Sequence, residues 1–394
     1  MIKMINVEEA KKRISEILIS RKIEICPISE STGLFCAEEI FSPISVPSFD
    51  NSAMDGYALA FGDLRPEMVI SGEVKAGVLS VEKLRPGTAV RIFTGAPIPE
   101  GADTVVKQEI ANVYENKFLI DVSEVKKGDF VRKAGAQCEV GEKVLEVGAE
   151  ISSGTVALLA SLGIEEIKVF SKPRIGVILT GDEVVEPGQK LENGQIYDAN
   201  GPMLTSALMK LGVKPAFVEK VKDDADAVRT SVERLVEQVD VLILSGGISV
   251  GDYDFVRPTM QDMGVEELFY KVAQKPGKPL FVGKLGSKII FALPGNPSSS
   301  LSCFMVYVKP FIRHFCGSND AFESNLQFPL SETYHSESIL TFFLKCQLKN
   351  GMIHLLKGQE SFNLISFNTA TGLVEIPGIN SVSPENSNYN YYPF

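Results

Sequence analysis

The sequence predicts a multidomain protein of α/β plus β class, and three observations carry that expectation. After Pro173, strand-like and helix-like segments alternate: IGVILT, a helix over 202–211, VLIL, KIIFAL and a helix from Ser298. From Pro43 to about Gly148, short apolar runs such as TAVRIF and KFLIDV stand between Gly, Pro, Asn and Asp, the pattern of an inserted all-β unit. Beyond Gly317, ILTFFLKCQL and MIHLL flank Asn350-Gly351, a strong two-residue hairpin signal.

A chain of 394 residues exceeds what one hydrophobic core organises, so about two to four domains are expected. Ile5, Glu8, Glu9, Lys12, Ile14 and Ile17 sketch an opening helix, followed by the apolar run IEICPI and a second helical stretch from Thr32 to Phe41. Residues 151–167 return to helical periodicity, with Val156, Leu159 and Leu162 on one face. The β unit at 43–146 therefore interrupts one scaffold domain, built from 1–42 and 147–171. In the α/β domain, 172–318, Val228, Val232, Leu235, Val236 and Val239 supply a crossover helix, and the alternation implies a largely parallel sheet. Residues 319–394 form a C-terminal β domain whose last segment, SVSPENSNYNYYPF, reads as a frayed tail.

Composition excludes several function classes. Lys and Arg total 39 against 50 Asp and Glu, a net charge of −11, which argues against broad nucleic-acid or anionic-membrane binding. An anionic ligand then needs a local basic cluster. No run of ~18 apolar residues exists, and the start is amphipathic rather than a secretory signal, so a cytoplasmic protein is expected. Six cysteines are scattered without a CxxC pair, which indicates reduced core residues rather than a zinc knuckle or disulfide framework. The three histidines, His314, His335 and His354, come late in the chain, which argues against histidine catalysis.

In open α/β sheets, ligands bind outside the carboxyl ends of strands, and three such ends here carry glycine. IGVILT leads into Gly181-Asp182-Glu183; VLIL leads into Ser245, Gly246, Gly247, Ile248, Ser249, Val250, Gly251, Asp252, Tyr253 and Asp254; KIIFAL leads into Pro294, Gly295, Asn296, Pro297 and Ser298. Glycines let backbone N–H groups cradle an oxyanion, and a helix N-terminus at Ser298 adds partial positive charge. Any one loop is explained as a tight turn with Ser298 capping its helix; all three together point to an anion site. Glu183 and Asp254 suit Mg²⁺, which takes one or two carboxylates plus phosphate oxygens and water. Lys271, Lys275 and Lys278 place three cations within eight residues beside a rigid turn, either a solvated loop or a counter-charge for a dianion. In the β insert, PSFDNSAMDGYAL and RIFTGAPIPEGADTVVKQE read as binding loops; Asp50, Asn51, Ser52 and Asp55 suit either an Asx-turn network or an acidic site.

Taken in order, PSFDNSAMDGYA, RIFTGAPIPEGAD, TGDE, GQIYDAN, LSGGISVGDYDF, KPGKP and LPGNP resemble the molybdopterin molybdotransferase family over roughly residues 5 to 375. The resemblance implies a split scaffold domain, a β insert, a three-layer α/β domain of the molybdopterin adenylyltransferase type and a small β-barrel-like C-terminal domain. It also implies a homodimer whose active site joins the α/β domain of one subunit to the β insert of its partner. The implied reaction takes adenylylated molybdopterin and molybdate, with Mg²⁺, to molybdenum cofactor and AMP. Transient partners would be a molybdopterin adenylyltransferase and molybdoenzyme apoproteins.

By motif position, the family's functional residues fall on Asp55, Thr94, Glu183, Asp254, Lys271, Lys275, Pro294 and Pro297. Glu183 and Asp254 are assigned to Mg²⁺ and nucleotide, the lysines to oxyanion charge, and Asp55 and Thr94 to the partner's half of the site. Ser245, Gly246, Gly247, Ser249, Gly251, Lys278, Gly295, Asn296, Ser298, Arg132 and Ser361 are substrate-binding candidates. One departure stands out: where the family carries an aspartate two residues after the glycine of its Arg-rich stretch, this chain has Gln137, losing a charge, which either weakens a metal or molybdate contact or shifts that role to Glu139. Two rivals remain. An adenylyltransferase would carry TGGTG where this chain has SGGIS and would lack the PSFDNSAMDGYA insert; an interaction scaffold, as for a vertebrate relative, would call for extra domains that are absent here.

Overall fold

Asn6 opens the first helix, Val7–Ser15, by accepting the Glu9 N–H at 2.7 Å, and the helix buries Val7, Ala10 and Ile14. This is a computed structural model, and it describes residues 4–77, 83–248, 255–323, 326–378, 382–383 and 387–394. The strand Ile23–Pro27 then pairs antiparallel with Glu166–Phe170, so segments about 140 residues apart in the chain close into one unit. The helix Ser153–Ser161, capped by Ser152, packs Leu159 beneath that ribbon. The helix expected from Thr32 to Phe41 does not form. Gly33 sits at φ +78, Cys36 N–H donates to the Ala149 carbonyl at 3.0 Å and Ala37 N–H to Lys168 at 2.9 Å. Cross-chain pairing satisfies these donors, so a weak helical propensity has nothing to add.

The insert forms a six-stranded sheet in the order Thr104–Lys107, Gly56–Leu59, Thr88–Ile92, Glu67–Val74, Lys117–Leu119, Asn112–Tyr114. Tyr57 stacks on Phe118 at 4.5 Å in its core. Gly56 is required here, because a Cβ would lie 2.0 Å from the Val106 carbonyl oxygen.

The α/β region has a six-stranded sheet in the order Phe217–Val221, Ile175–Thr180, Val241–Ser245, Lys288–Leu293, Phe281–Leu285, Glu266–Tyr270. The first four are mutually parallel, and Phe281–Leu285 runs antiparallel to both of its neighbours. The strands Ile175–Thr180 and Val241–Ser245 are buried at every residue, as expected for strands covered on both faces. Parallel registry sets Leu179 beside Ser245 and Ser245 beside Leu293, so the three loops that follow emerge side by side. The lysine segment, by contrast, is the connection between the antiparallel pair Glu266–Tyr270 and Phe281–Leu285.

After Leu293 a helical run begins at Pro297–Cys303, passes through a π-turn at Phe304–Val308 and ends with Lys309–Phe315. Pro310 has no N–H for the Val306 carbonyl, and the ladder responds with a bond from Lys309 N–H to Phe304. At its start, Asn296 rather than Ser298 is the cap: its side chain accepts the Ser299 N–H at 3.3 Å.

The C-terminal sheet runs Gln274–Lys275, Thr341–Lys349, Gly372–Ile376, Asn388–Pro393, Gln327–Pro329, with Met352–Leu355 hairpinned onto Thr341–Lys349. Asn350 and Gly351 both hold positive φ, +51 and +75, as the two-residue turn requires. The supposed frayed tail is corrected by the structure. Residues 388–393 are an internal strand with Tyr391 buried, because alternating tyrosines supply apolar faces and the backbone is paired on both sides.

Candidate active site

The three strand-end loops meet over the carboxyl edge of the α/β sheet. A crevice of about 180 Å³ there is lined by Thr180, Glu183, Asn200, Asp223, Ser245 and Gly295, among others. Asn200 Nδ2 donates to Ser245 Oγ at 2.9 Å and to the Gly295 carbonyl at 2.7 Å, tying two of the loops together. Gly246 and Gly247 hold φ of +102 and +60. A Cβ on Gly246 would come within 2.5 Å of Thr180 Oγ1, and one on Gly247 within 2.6 Å of the Phe255 ring. Such close approach is available only to glycine.

Thr180 Oγ1, Asn200 Oδ1 and Asp223 Oδ1 are buried here; Thr180 and Asp223 are close enough to interact with each other but without good hydrogen-bond geometry, and Asn200 Oδ1 has no partner among the described residues. Buried polar atoms are paired as a rule, so three poorly satisfied ones around one crevice mark the place of a polar ligand. Burial pushes the Asp223 carboxyl above the usual carboxylate range, a contact from the Thr180 hydroxyl partly opposes that rise, and Glu183, Asp182 and Asp224 add to it. A cation would relieve that repulsion. Among the described residues no cluster of three or more Asp, Glu, Cys or His forms a closed cage. Glu183 and Asp223 on an open crevice instead fit Mg²⁺, which takes few carboxylates and fills its shell with water and phosphate oxygens.

The LPGNPSSS segment separates this crevice from a second, larger one. Gly295 faces the first, whereas Ser299 lines a cleft of about 540 Å³ together with Lys275, Lys278, Tyr334, Phe342 and Ser361. Lys275 Nζ lies 5.9 Å from the Phe342 ring centroid, and Lys271, at φ +69, sits with its Nζ 4.8 Å from the Tyr270 ring. Ser361 is carried by the loop after Met352–Leu355, where the buried Lys345 donates to the carbonyls of Glu360 and Asn363 at 3.2 and 2.9 Å.

The structure therefore brings Glu183, Ser245, Gly246, Gly247 and Gly295 to one crevice and Lys275, Lys278 and Ser361 to the next. Pro294 is buried at the end of its strand, and Asn296, Pro297 and Ser298 form the helix start between the two. Ser249, Gly251 and Asp254 lie outside the described residues. Asp55 and Thr94 line neither crevice: in the insert, Asp55 Oδ1 accepts both the backbone N–H and the hydroxyl of Thr94 at 2.8 Å. Those two bonds, backbone first, hold the Asp55 carboxyl below the usual carboxylate range. Arg132 is exposed, in register with Asn51, and Gln137 is exposed with its N–H on the Val46 carbonyl at 2.8 Å. Asp50 is a turn tie, accepting from Lys133 Nζ at 2.7 Å and Ala134 N–H at 2.9 Å.

Sequence reasoning missed Thr180, Asn200 and Asp223. Asn200 lay within the quoted GQIYDAN segment but drew no role, and Asp223 follows the strand Phe217–Val221, a fourth parallel carboxyl end that a search for glycine alone passes over.

Comparison with known proteins agrees with this arrangement. Residues 5–163 match the family described as MoeA N-terminal region (domain I and II), and residues 176–314 the one described as probable molybdopterin binding domain. The chain is 38% identical over 317 residues to a molybdopterin molybdenumtransferase of Haemophilus influenzae, covering 80% of this chain and 78% of that protein. It is 34% identical over 352 residues to the Bacillus subtilis protein of the same name, covering 86% and 78%. The crystal structure of a molybdopterin biosynthesis MoeA protein from Pyrococcus horikoshii superposes with a TM-score of 0.85 at 26% identity over the full length of both chains. By sequence match and by fold, the chain belongs to the molybdopterin molybdenumtransferase (MoeA) family.

Proposed function

We propose that this protein inserts molybdenum from molybdate into adenylylated molybdopterin, releasing AMP and forming molybdenum cofactor. The observation that carries the reading is the convergence of three glycine-bearing strand ends on buried polar atoms of Thr180, Asn200 and Asp223 that are poorly satisfied among the described residues. The crevice takes the phosphoanhydride, with Gly246, Gly247 and Gly295 leaving room for backbone donors and Asn200 fixing the spacing of their loops. Glu183 and Asp223, with Asp254 by its sequence position, would hold Mg²⁺, which would supply positive charge at the phosphates. Lys275, Lys278, Ser299 and Ser361 offer cations and hydroxyls to the molybdate dianion in the adjoining cleft, whereas Lys271, which precedes the same turn, does not line that cleft and holds its Nζ over the Tyr270 ring. The chain's part in catalysis is positioning and charge neutralisation: the anhydride bond breaks while the oxometallate waits within reach of the freed dithiolene.

Asp55 and Thr94 enter this scheme from a second copy of the chain. Ile23 and Ile25, alternate residues on one face of the scaffold ribbon, are 55% and 65% exposed, which supports a covered apolar surface in a homodimer. Six free, buried cysteines support a reducing, cytoplasmic setting. A molybdopterin adenylyltransferase upstream and molybdoenzyme apoproteins downstream are the transient partners. No described helix is long and apolar enough to cross a membrane.

The test supplies adenylylated molybdopterin, molybdate and Mg²⁺ and follows AMP and cofactor together. Stoichiometric formation of both supports the proposal. AMP without cofactor would make the protein a hydrolase, and synthesis of adenylylated molybdopterin from ATP would make it an adenylyltransferase. Asp254→Ala should abolish turnover while the dimer persists; full turnover in that variant would favour the scaffold reading.

A further inference from the structure

The lysine turn of the larger cleft is supported from beneath by a buried polar relay that no reading of the site motifs includes. Gln274 is fully buried, and its Nε2 donates to the carbonyls of Pro276 at 3.2 Å and Gly277 at 3.1 Å, the two residues between Lys275 and Lys278. Its Oε1 accepts the hydroxyl of Tyr307, itself fully buried. The amide nitrogen thus faces the turn, with Cys303 Sγ as a third, longer acceptor at 3.6 Å, while the tyrosine fixes which end of the amide points there. Gly277 closes the packing: at φ +84, a Cβ there would lie 2.5 Å from Cys303 Sγ and 3.0 Å from Gln274 Nε2. The backbone completes the frame, with Val272 N–H on the Lys278 carbonyl at 3.0 Å and Thr341 N–H on Ala273 at 3.0 Å.

Tyr307 occupies the π-turn at Phe304–Val308, and π-turns inside helices are frequent at functional sites. The helical run that starts beside the first crevice at Pro297 therefore reaches, ten residues later, the underside of the second. An amide and a phenol buried at this point are costly unless they hold something in place, since apolar residues of similar volume would pack there without polar desolvation.

We infer that Gln274 and Tyr307 are positioning residues for the oxyanion cleft, holding Lys275 and Lys278 at the spacing that receives molybdate. The inference rests on the reading of that cleft as the molybdate site. Tyr307 acts on Gln274, and Gln274, a buried residue at the cleft wall, acts through the carbonyls of the turn. A pre-set turn receives a dianion without first having to order two long cationic side chains and their backbone.

The test measures KM for molybdate, KM for adenylylated molybdopterin and kcat in Tyr307→Phe and Gln274→Met, with thermal melts of each. Tyr307→Phe removes one hydroxyl and keeps the ring; it should raise the molybdate KM about fivefold, the scale of one net hydrogen bond, and leave kcat at saturating molybdate and the pterin KM unchanged. Gln274→Met should act in the same direction and more strongly. Both molybdate KM values staying within twofold of wild type, or both substrates' KM values rising together, would overturn the inference. Lys275→Ala and Ser361→Ala separate the two levels. If they raise the molybdate KM and Tyr307→Phe does not, the relay is structural only; if they leave it unchanged, the cleft reading fails and takes the relay's role with it.

Discussion

Asn200 donates from a single amide nitrogen to Ser245 Oγ at 2.9 Å and to the Gly295 carbonyl at 2.7 Å. One side chain, from the helix Asn200–Lys210, thereby sets the distance between the loops that follow two different strands. Its own Oδ1 is left without a well-formed partner among the described residues. Asn200→Ala should lower kcat/KM about thirtyfold, the loss expected when two hydrogen bonds of ~1 kcal/mol each no longer pre-set the site. AMP release under subsaturating substrate measures it, with a thermal melt to show that the fold persists.

Asp223 gives the crevice a pH and metal signature. Its carboxyl is raised by burial and by neighbouring carboxylates, so its favourable contribution to folding is present at low pH and is lost as pH rises through the raised value. Asp223→Asn should therefore stabilise the ligand-free protein at neutral pH, and the gain should vanish in acid. Mg²⁺ should reverse the order, raising the melting temperature of the wild type and having little effect on the variant. Identical metal responses in the two proteins would remove Asp223 from the metal site.

A composite site makes a counting prediction. Asp55→Ala and Glu183→Ala subunits should each be nearly inactive alone. Mixed after subunit exchange, they should recover about a quarter of wild-type activity, since about half of random dimers are mixed and each mixed dimer holds one intact site. No recovery, with exchange verified by mass, would place both residues in the same subunit's site.

Lys309 tests the long helix independently of the site. Burial, with Lys210 and Arg313 nearby, brings its ammonium down to about 8. Between that value and the ordinary lysine range, the unfolded chain binds a proton that the folded protein has released, so stability rises with pH across this window. Lys309→Met should flatten the rise in melting temperature between about pH 8 and about pH 10, relative to wild type.

Much of this architecture is written in local pattern. IGVILT and VLIL are apolar at nearly every position because strands covered on both faces bury every side chain, and Asn350-Gly351 is a hairpin because both residues accept positive φ. The glycine-bearing loops were legible for the same reason: close backbone approach leaves only glycine, and several such motifs in one order identify a family. Where local pattern misled, a distant strand had intervened. Residues 32–41 gave up helix for bonds to Ala149 and Lys168, and Asn388–Pro393 gained order from two neighbours rather than from its own composition.

What could not be read in one dimension is which polar groups are left without water. Asp223 and Asn200 resemble ordinary surface residues in the sequence, and Gln274 and Tyr307 lie 33 positions apart with no motif to connect them. Parallel strand registry and a π-turn bring these groups under two adjoining crevices, and only burial there turns an amide or a carboxyl into a group that must find a partner. The glycine-rich loops and their chemistry thus follow from residue type, whereas the orphaned atoms and the supports beneath the lysines follow from packing.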